Sequence, residues 1–216
     1  MARVWGRRPD EAELEWLYER NPLRPASVVL AEEGDRVVGS AALSFQPLDG
    51  VVVGFAVHLA TDPAFRGRGV FSELQLENEV RATAAGVTML LTVPTAESAR
   101  ILTGRLGWQP LPSLRVWARP WPRPVRASRV ARLDDAYLDW RFADAPREYA
   151  LYADGTVVGR RGRYSFVARG RPDVATLSLR RGFAPTPKSF MLLGKSLDGS
   201  ALPERVELEF GDLDFV

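Results

Sequence analysis

The chain has 216 residues, 46% of them hydrophobic, enough to bury a core in one large domain or two small ones. It has no cysteine and one histidine, His58, which excludes disulfides, thiolate chemistry and multi-histidine metal sites. The formal charge is +2 and Lys188 and Lys195 are the two lysines in an otherwise arginine-based positive charge, so charge alone points to no nucleic-acid partner.

No apolar run approaches the roughly 20 residues that cross a bilayer. Residues 1–25 are charged throughout, without the apolar stretch of a signal peptide, so no membrane partner and a cytoplasmic location are expected. In chain order, a short extended "ARVWGRR" precedes "PDEAELEWLYERNP". There Pro9 and Asp10 open a helix, acidic residues fill its first turn, and Leu14, Leu17 and Tyr18 share a face until Asn21-Pro22 stops it. "ASVVLAEEGDRVVGSAALSF" reads as two strands joined at Glu33-Gly34-Asp35. The nearly continuous apolar run "VVVGFAVHLAT" predicts a strand covered on both faces. A glycine-rich stretch follows, then a helix over about 70–85, a strand "VTMLLTV", a helix over about 95–106 and a strand near "LRVWARPW". Strands bracketing helices predict an α/β fold whose mixed sheet has at least one parallel crossover.

Residues 122–132, rich in proline and arginine, read as a linker. Beyond it the opening pattern returns. "LEWLYERNPLRPASVVLAEEGDRVVG" can be laid on "LDWRFADAPREYALYADGTVVG", matching Trp16 with Trp140, Pro22 with Pro146 and Gly39 with Gly159. The second copy lacks an equivalent of the glycine-rich stretch, and its last piece, "RRGFAPTPKSFMLLGKSL", parallels "GRLGWQPLPSLRVWARPW". The expected division is therefore a first domain over 1–121, the linker, and a truncated second half over 133–216. The chain closes on "ERVELEFGDLDFV", whose alternation is that of a half-buried strand.

"FRGRGVFSEL", residues 65–74, places Arg66, Gly67, Arg68 and Gly69 before a helix. Backbone N–H groups left open at a helix start bind anions, glycines let a phosphate approach, and arginine adds charge-assisted hydrogen bonds. The spacing fits neither a Walker loop nor a dinucleotide fingerprint, and by itself leaves an anion site and a plain basic turn as alternatives.

"LATDPAFRGRGVFSEL" resembles the acetyl-CoA-binding motif of the GNAT N-acetyltransferases, Q/R-x-x-G-x-G/A. Arg66 takes the first position and Gly69 the first glycine, while Phe71 stands where glycine or alanine is usual. "RLGWQPL" is similar to the family's K-L-G-F segment. The resemblance covers roughly residues 1–121 and, through the repeat, implies that the truncated half is GNAT-like. It implies that the pyrophosphate of coenzyme A rests on the backbone amides of Arg66, Gly67, Arg68, Gly69, Val70 and Phe71. It also implies that pantetheine pairs with backbone groups of Leu59, Ala60 and Thr61 where the strand splays from its neighbour.

Direct acyl transfer from acetyl-CoA to a small-molecule or peptide amine needs no nucleophilic residue, in agreement with the missing cysteine. The family's tyrosine acid, four residues before the glycine of "RLGW", falls on Thr103, and "VGFAVHLAT" lacks the family's glutamate base. His58 is the titratable group left as a base, against the alternative of a packed core histidine. Glu97 either accepts an amine proton through water or stabilises a helix start. Tyr164 and Trp140 either line an acceptor pocket or pack in the second half's core. A GNAT-like protein that binds coenzyme A or an acidic partner without catalysis is the alternative function. "RRGRYSFVARGR" would suit a nucleic-acid stripe, but its alternation equally suits a solvated strand face, which is preferred.

Overall fold

The computed structural model describes residues 10–48, 50–119, 135–152, 156–161, 164–169, 184–204 and 206. The expected first strand over residues 2–8, the linker 122–132 and all but two residues of the strand expected over 204–216 lie outside them. Among the described residues no helix is long and apolar enough to cross a membrane.

The chain forms two compact units, the first comprising Met1–Pro112 and Met191–Val206 and the second Ser113–Phe190 with Glu207–Phe215. In the first unit, helix α1 (Glu11–Tyr18) starts where predicted because the Asp10 carboxylate caps the amide of Ala12. Strands β1 (Ser27–Glu33) and β2 (Arg36–Leu48) form the expected hairpin, turning at Gly34 with φ +59°. Strand β3 (Val51–Thr61) runs antiparallel to β2, and its middle residues Val53, Phe55 and Ala56 are all buried, as a strand covered on both faces requires. Helix α2 (Val70–Ala84) then makes the parallel crossover to β4 (Met89–Thr92). Gly86, at φ +74°, ends that helix by turning the chain while its amide bonds back to Thr83. Helix α3 (Ala96–Arg105) is capped by Thr95, whose hydroxyl accepts from the amide of Ser98, and leads into β5 (Gln109–Arg119).

The core of this unit joins Leu43 and Phe45 of β2, Ala56 of β3, Leu90 of β4, Leu102 of α3, Trp108 and Leu193. Leu193 belongs to strand β9 (Ala184–Ser196), whose last residues run antiparallel along β4, Thr92 opposite Leu193 and Met89 opposite Ser196. Strand order here is β1-β2-β3-β4-β9-β5. A part-buried ion pair, Lys195 Nζ to Glu79 Oε2 at 2.6 Å, ties β9 to α2.

This corrects the expected division. Met191 to Ser196, expected within a half spanning 133–216, instead belong to the first unit, where Leu193 to Ser196 pair with β4. The boundaries between the units thus fall within β5, after Pro112, and within β9, after Phe190. The cause of the misreading is physical: a strand's own residues specify that it is extended and half-buried, not which strand it pairs with.

The second unit opens with the short helix α4 (Ala136–Leu138), capped by Asp135, and continues into a π-helical turn over Asp139–Ala143. Strands β6 (Tyr149–Leu151), β7 (Val157–Arg161) and β8 (Tyr164–Arg169) form an antiparallel meander, and β8 pairs with β5 at Ala118 and Arg119. Phe142, Tyr149, Val157, Phe166 and Ala168 make its core. A Cβ on Gly159 would collide with the ring of Phe166, directly across from it, so only glycine fits there.

Candidate active site

The site builds from an irregularity in β3. Ser40 of β2 faces Ala60, but Ala42 faces Val57, so His58 and Leu59 together oppose Ala41. Such a bulge re-aims one side chain and its carbonyl. His58 absorbs it with φ +51°, the one left-handed non-glycine among the described residues. The Ser40 hydroxyl donates to the turned His58 carbonyl at 3.2 Å, holding the bulge in place.

The other edge of β3 separates from β4 at the same level. The parallel pairing is confined to Gly54–Leu90 and Phe55–Leu91, and the Thr92 hydroxyl donates to the Ala56 carbonyl at 2.9 Å where β4 ends. Val57 to Thr61 therefore run on beside β2 with no β4 partner among the described residues. A parallel sheet that opens in this way leaves a cleft at the carboxyl ends of its strands, where open α/β sheets bind ligands.

The chain leaves β3 through a 3-10 turn, Pro63–Phe65, capped by Asp62, and reaches the glycine-rich stretch. Gly67 and Gly69 hold φ +76° and +87°. Gly69 is the N-cap of α2 and has no side chain to satisfy the first-turn amides, which lack acceptors within the helix. A Cβ on Gly67 would meet nothing within 4 Å and one on Gly69 only the Glu73 carboxylate at 3.8 Å. What demands glycine at both positions is thus the backbone conformation, and the space over the turn is open. Arg68 lies over the Phe65 ring with its guanidinium carbon 4.9 Å from the centroid, and Arg36, paired with Asp62, covers it at 5.5 Å. Arg66 turns its Nε back to the Thr61 carbonyl at 3.5 Å.

Residues 2–108 match the model of the acetyltransferase (GNAT) family. Over these residues, just under half of its length, the chain is similar to the GNAT family. GNAT enzymes use acetyl-CoA and act on small-molecule or peptide amines. The fold is shared with a protein of Pyrococcus horikoshii described as an acetyltransferase, at 13% identity and TM-score 0.62, over 97% of this chain and 87% of that one. A protein of unknown function from Enterococcus faecalis aligns at 11% identity and TM-score 0.55, over 91% of this chain and 68% of that one. Eis1 of Mycobacterium abscessus aligns at 13% identity and TM-score 0.54, over 91% and 69%. No curated protein matches the chain.

Leu59, Ala60 and Thr61 all lie on the stretch of β3 that β4 leaves, and Arg66 to Phe71 form the turn and first helical residues beyond it. Leu59 turns its side chain toward Ala41 and Leu74 in the small core under α2. His58 is neither isolated nor a plain core residue. Its Nδ1 lies 2.5 Å from the hydroxyl of Tyr18, at the end of α1, and the two rings meet edge to face. Burial pushes the Tyr18 phenol up to about 12. Sequence reading placed Tyr18 on the apolar face of the helix and missed its polar tip. The available signal was a tyrosine on a buried face, whose hydroxyl generally finds a partner.

The remaining candidates fall elsewhere. Glu97 is exposed in the first turn of α3, where its charge complements the helix dipole. Thr103 is spent within the same helix, its hydroxyl donating to the Ala99 carbonyl at 2.8 Å. Trp140 is buried in the second unit, tilted against Tyr137, and is a core residue. The side chain of Tyr164 lies outside the described residues. Ser165, Phe166, Val167 and Ala168 are all buried along β8, so Phe166 offers no surface on which a base stacks.

Proposed function

We propose that the protein is an acetyl-CoA-dependent N-acetyltransferase that passes the acyl group directly to an amine, with its working site in the first unit. The observation that carries this reading is the opening of β3 from β4 beside a helix that begins on an uncapped, left-handed glycine. The residues fit the cofactor. The open space over Gly67 and Gly69 admits a diphosphate to the amides of residues 67–71, beside Arg68, while the Arg66 amide donates to the Pro63 carbonyl. The unpaired edge of Leu59, Ala60 and Thr61 offers peptide groups to the amides of pantetheine, as an added strand would. At Thr61 the carbonyl also receives Arg66 Nε, so that arginine braces the loop rather than reaching for phosphate.

Bound acetyl-CoA supplies an activated thioester. The protein's part is to hold it along β3 and to bring a neutral amine to its carbonyl. The second unit, which repeats the helix-and-meander order of α1 to β3 and lacks a glycine-rich loop, is a shortened copy without a cofactor site of its own. Thiol release from acetyl-CoA with a panel of primary amines tests this function, and turnover with no amine of the panel refutes it.

The reading of a non-catalytic coenzyme A binder draws on Thr103, whose hydroxyl is committed to its own helix where the family has a tyrosine acid. It predicts cofactor binding with no thiol release.

A further inference from the structure

We propose that Thr92 closes the inner end of the cleft between β3 and β4 and thereby limits the acyl chain the protein accepts, admitting acetyl and rejecting butyryl and longer groups. This rests on the acetyl-CoA reading above. It makes Thr92 a specificity residue of that site.

The cleft ends at a defined point. Phe55 and Leu91 are the last paired residues of the two strands, and both are fully buried. One step further out the ladder stops, and the buried Thr92 hydroxyl donates to the Ala56 carbonyl at 2.9 Å. A side chain here gives a carbonyl of β3 the hydrogen bond that a continuing β4 would give from its backbone. It ties the strands together where they part. Branching at Cβ restricts χ1 of threonine, and the hydrogen bond holds one rotamer, so the closure is stiff.

The open stretch of β3 has a length that can be set against the cofactor. From Thr61 to Val57 it opposes Gly39 to Ala42 of β2, because the bulge absorbs one residue, and it spans about 13 Å at the rise of a strand. The pantetheine arm, from diphosphate oxygen to sulfur, has about twelve chain atoms, as many as the backbone of roughly four extended residues, and covers a similar distance. An arm that leaves a diphosphate at the amides of residues 67–71 and pairs along Thr61, Ala60 and Leu59 therefore brings its sulfur to the level of Val57. The acyl group beyond the sulfur meets Ala56 and Thr92. Acetyl ends there. Each further methylene has to push Thr92 aside and cost the Ala56 carbonyl its hydrogen bond. Past that bond lies the Phe55–Leu91 step, where paired strands stand about 4.8 Å apart and leave no room for a chain.

Calorimetric titration of the whole protein with coenzyme A, acetyl-CoA, butyryl-CoA and hexanoyl-CoA reads this closure without an acceptor amine. In the native protein butyryl-CoA is expected to bind about 10- to 100-fold more weakly than acetyl-CoA, the range for a misfitting methylene in a closed pocket, and hexanoyl-CoA more weakly still. Thr92→Ala removes the hydrogen bond and is expected to bring butyryl-CoA within about threefold of acetyl-CoA, with affinity for coenzyme A itself changed less than about twofold. Thr92→Ser keeps the hydroxyl and is expected to keep the preference for acetyl. A purely structural role for Thr92 lowers all four affinities together and leaves their ratios as they were. Failure of the native protein to bind coenzyme A or acetyl-CoA overturns the function and this assignment together. Normal binding of acetyl-CoA with equal affinity for hexanoyl-CoA, or unchanged ratios in Thr92→Ala, overturns this assignment alone.

Discussion

Leu193 tests the claim that the end of β9 belongs to the first unit. Its side chain is fully buried against Leu43, Leu90 and Trp108, and its backbone faces Thr92. Leu193→Ala removes about three carbon groups from that core, roughly 2.4 kcal/mol at about 0.8 kcal/mol per methylene. The cavity left behind raises the total to about 3–4 kcal/mol within the usual range for buried leucine. With a urea dependence of about 2–3 kcal/mol per molar, the midpoint falls by roughly 1–2 M. Met191, two residues earlier and half exposed, is the control, and Met191→Ala is expected to shift stability by less than about 0.5 kcal/mol. Hydrogen exchange read by mass spectrometry locates the damage. Amides of Met89 to Thr92 are expected to lose protection in Leu193→Ala, because their partner strand is loosened. Unchanged protection of β4, with exchange rising instead in β6 and β7, would mean that β9 serves the second unit and that the described topology is wrong.

Asn21 is buried with its side-chain amide donating to the Phe45 carbonyl at 2.8 Å and accepting from the Leu23 amide at 3.0 Å. Asn21→Ala leaves that carbonyl unsatisfied and is expected to cost about 2–3 kcal/mol in denaturant unfolding. Lys195→Met strands the Glu79 carboxylate and is expected to cost about 1–3 kcal/mol. Adding Glu79→Gln is expected to recover part of that loss in a double-mutant cycle, since no charge is then left buried. Gly69→Ala forces a Cβ into φ +87°, at a cost of about 1–2 kcal/mol, and is expected to weaken acetyl-CoA binding measurably by calorimetry. The Tyr18 phenol, raised by burial to about 12, stays protonated in the folded chain while the unfolded chain ionises near its ordinary value of 10.0. The unfolded state thus binds fewer protons between those values, so stability falls as pH rises through that window and is unaffected below it. Thermal unfolding of Tyr18→Phe is expected to lack this part of the alkaline decline.

Elements governed by local chemistry were legible in the sequence. Glu33-Gly34-Asp35 specifies a hairpin because glycine supplies the positive φ that the turn needs, and Asp10 and Thr95 announce helix starts by their capping oxygens. The glycine-rich loop was legible for the same reason. What was not legible depends on contacts between distant residues. β9 carries the same alternation whichever sheet it enters, and its choice of β4 is written in the shape of the Leu43–Leu90–Trp108 core. The bulge at His58 comes from one extra residue between two registers, which no residue type in "VGFAVHLAT" signals. The Tyr18–His58 bond joins positions 40 residues apart, one on a helix and one on a strand.

Titration of the protein with acetyl-CoA in a calorimeter tests the central claim most directly. The account predicts saturable binding near one equivalent per chain, weakened by Gly69→Ala and preserved in Tyr18→Phe. Absence of heat with millimolar acetyl-CoA, for a protein folded by circular dichroism, would contradict it.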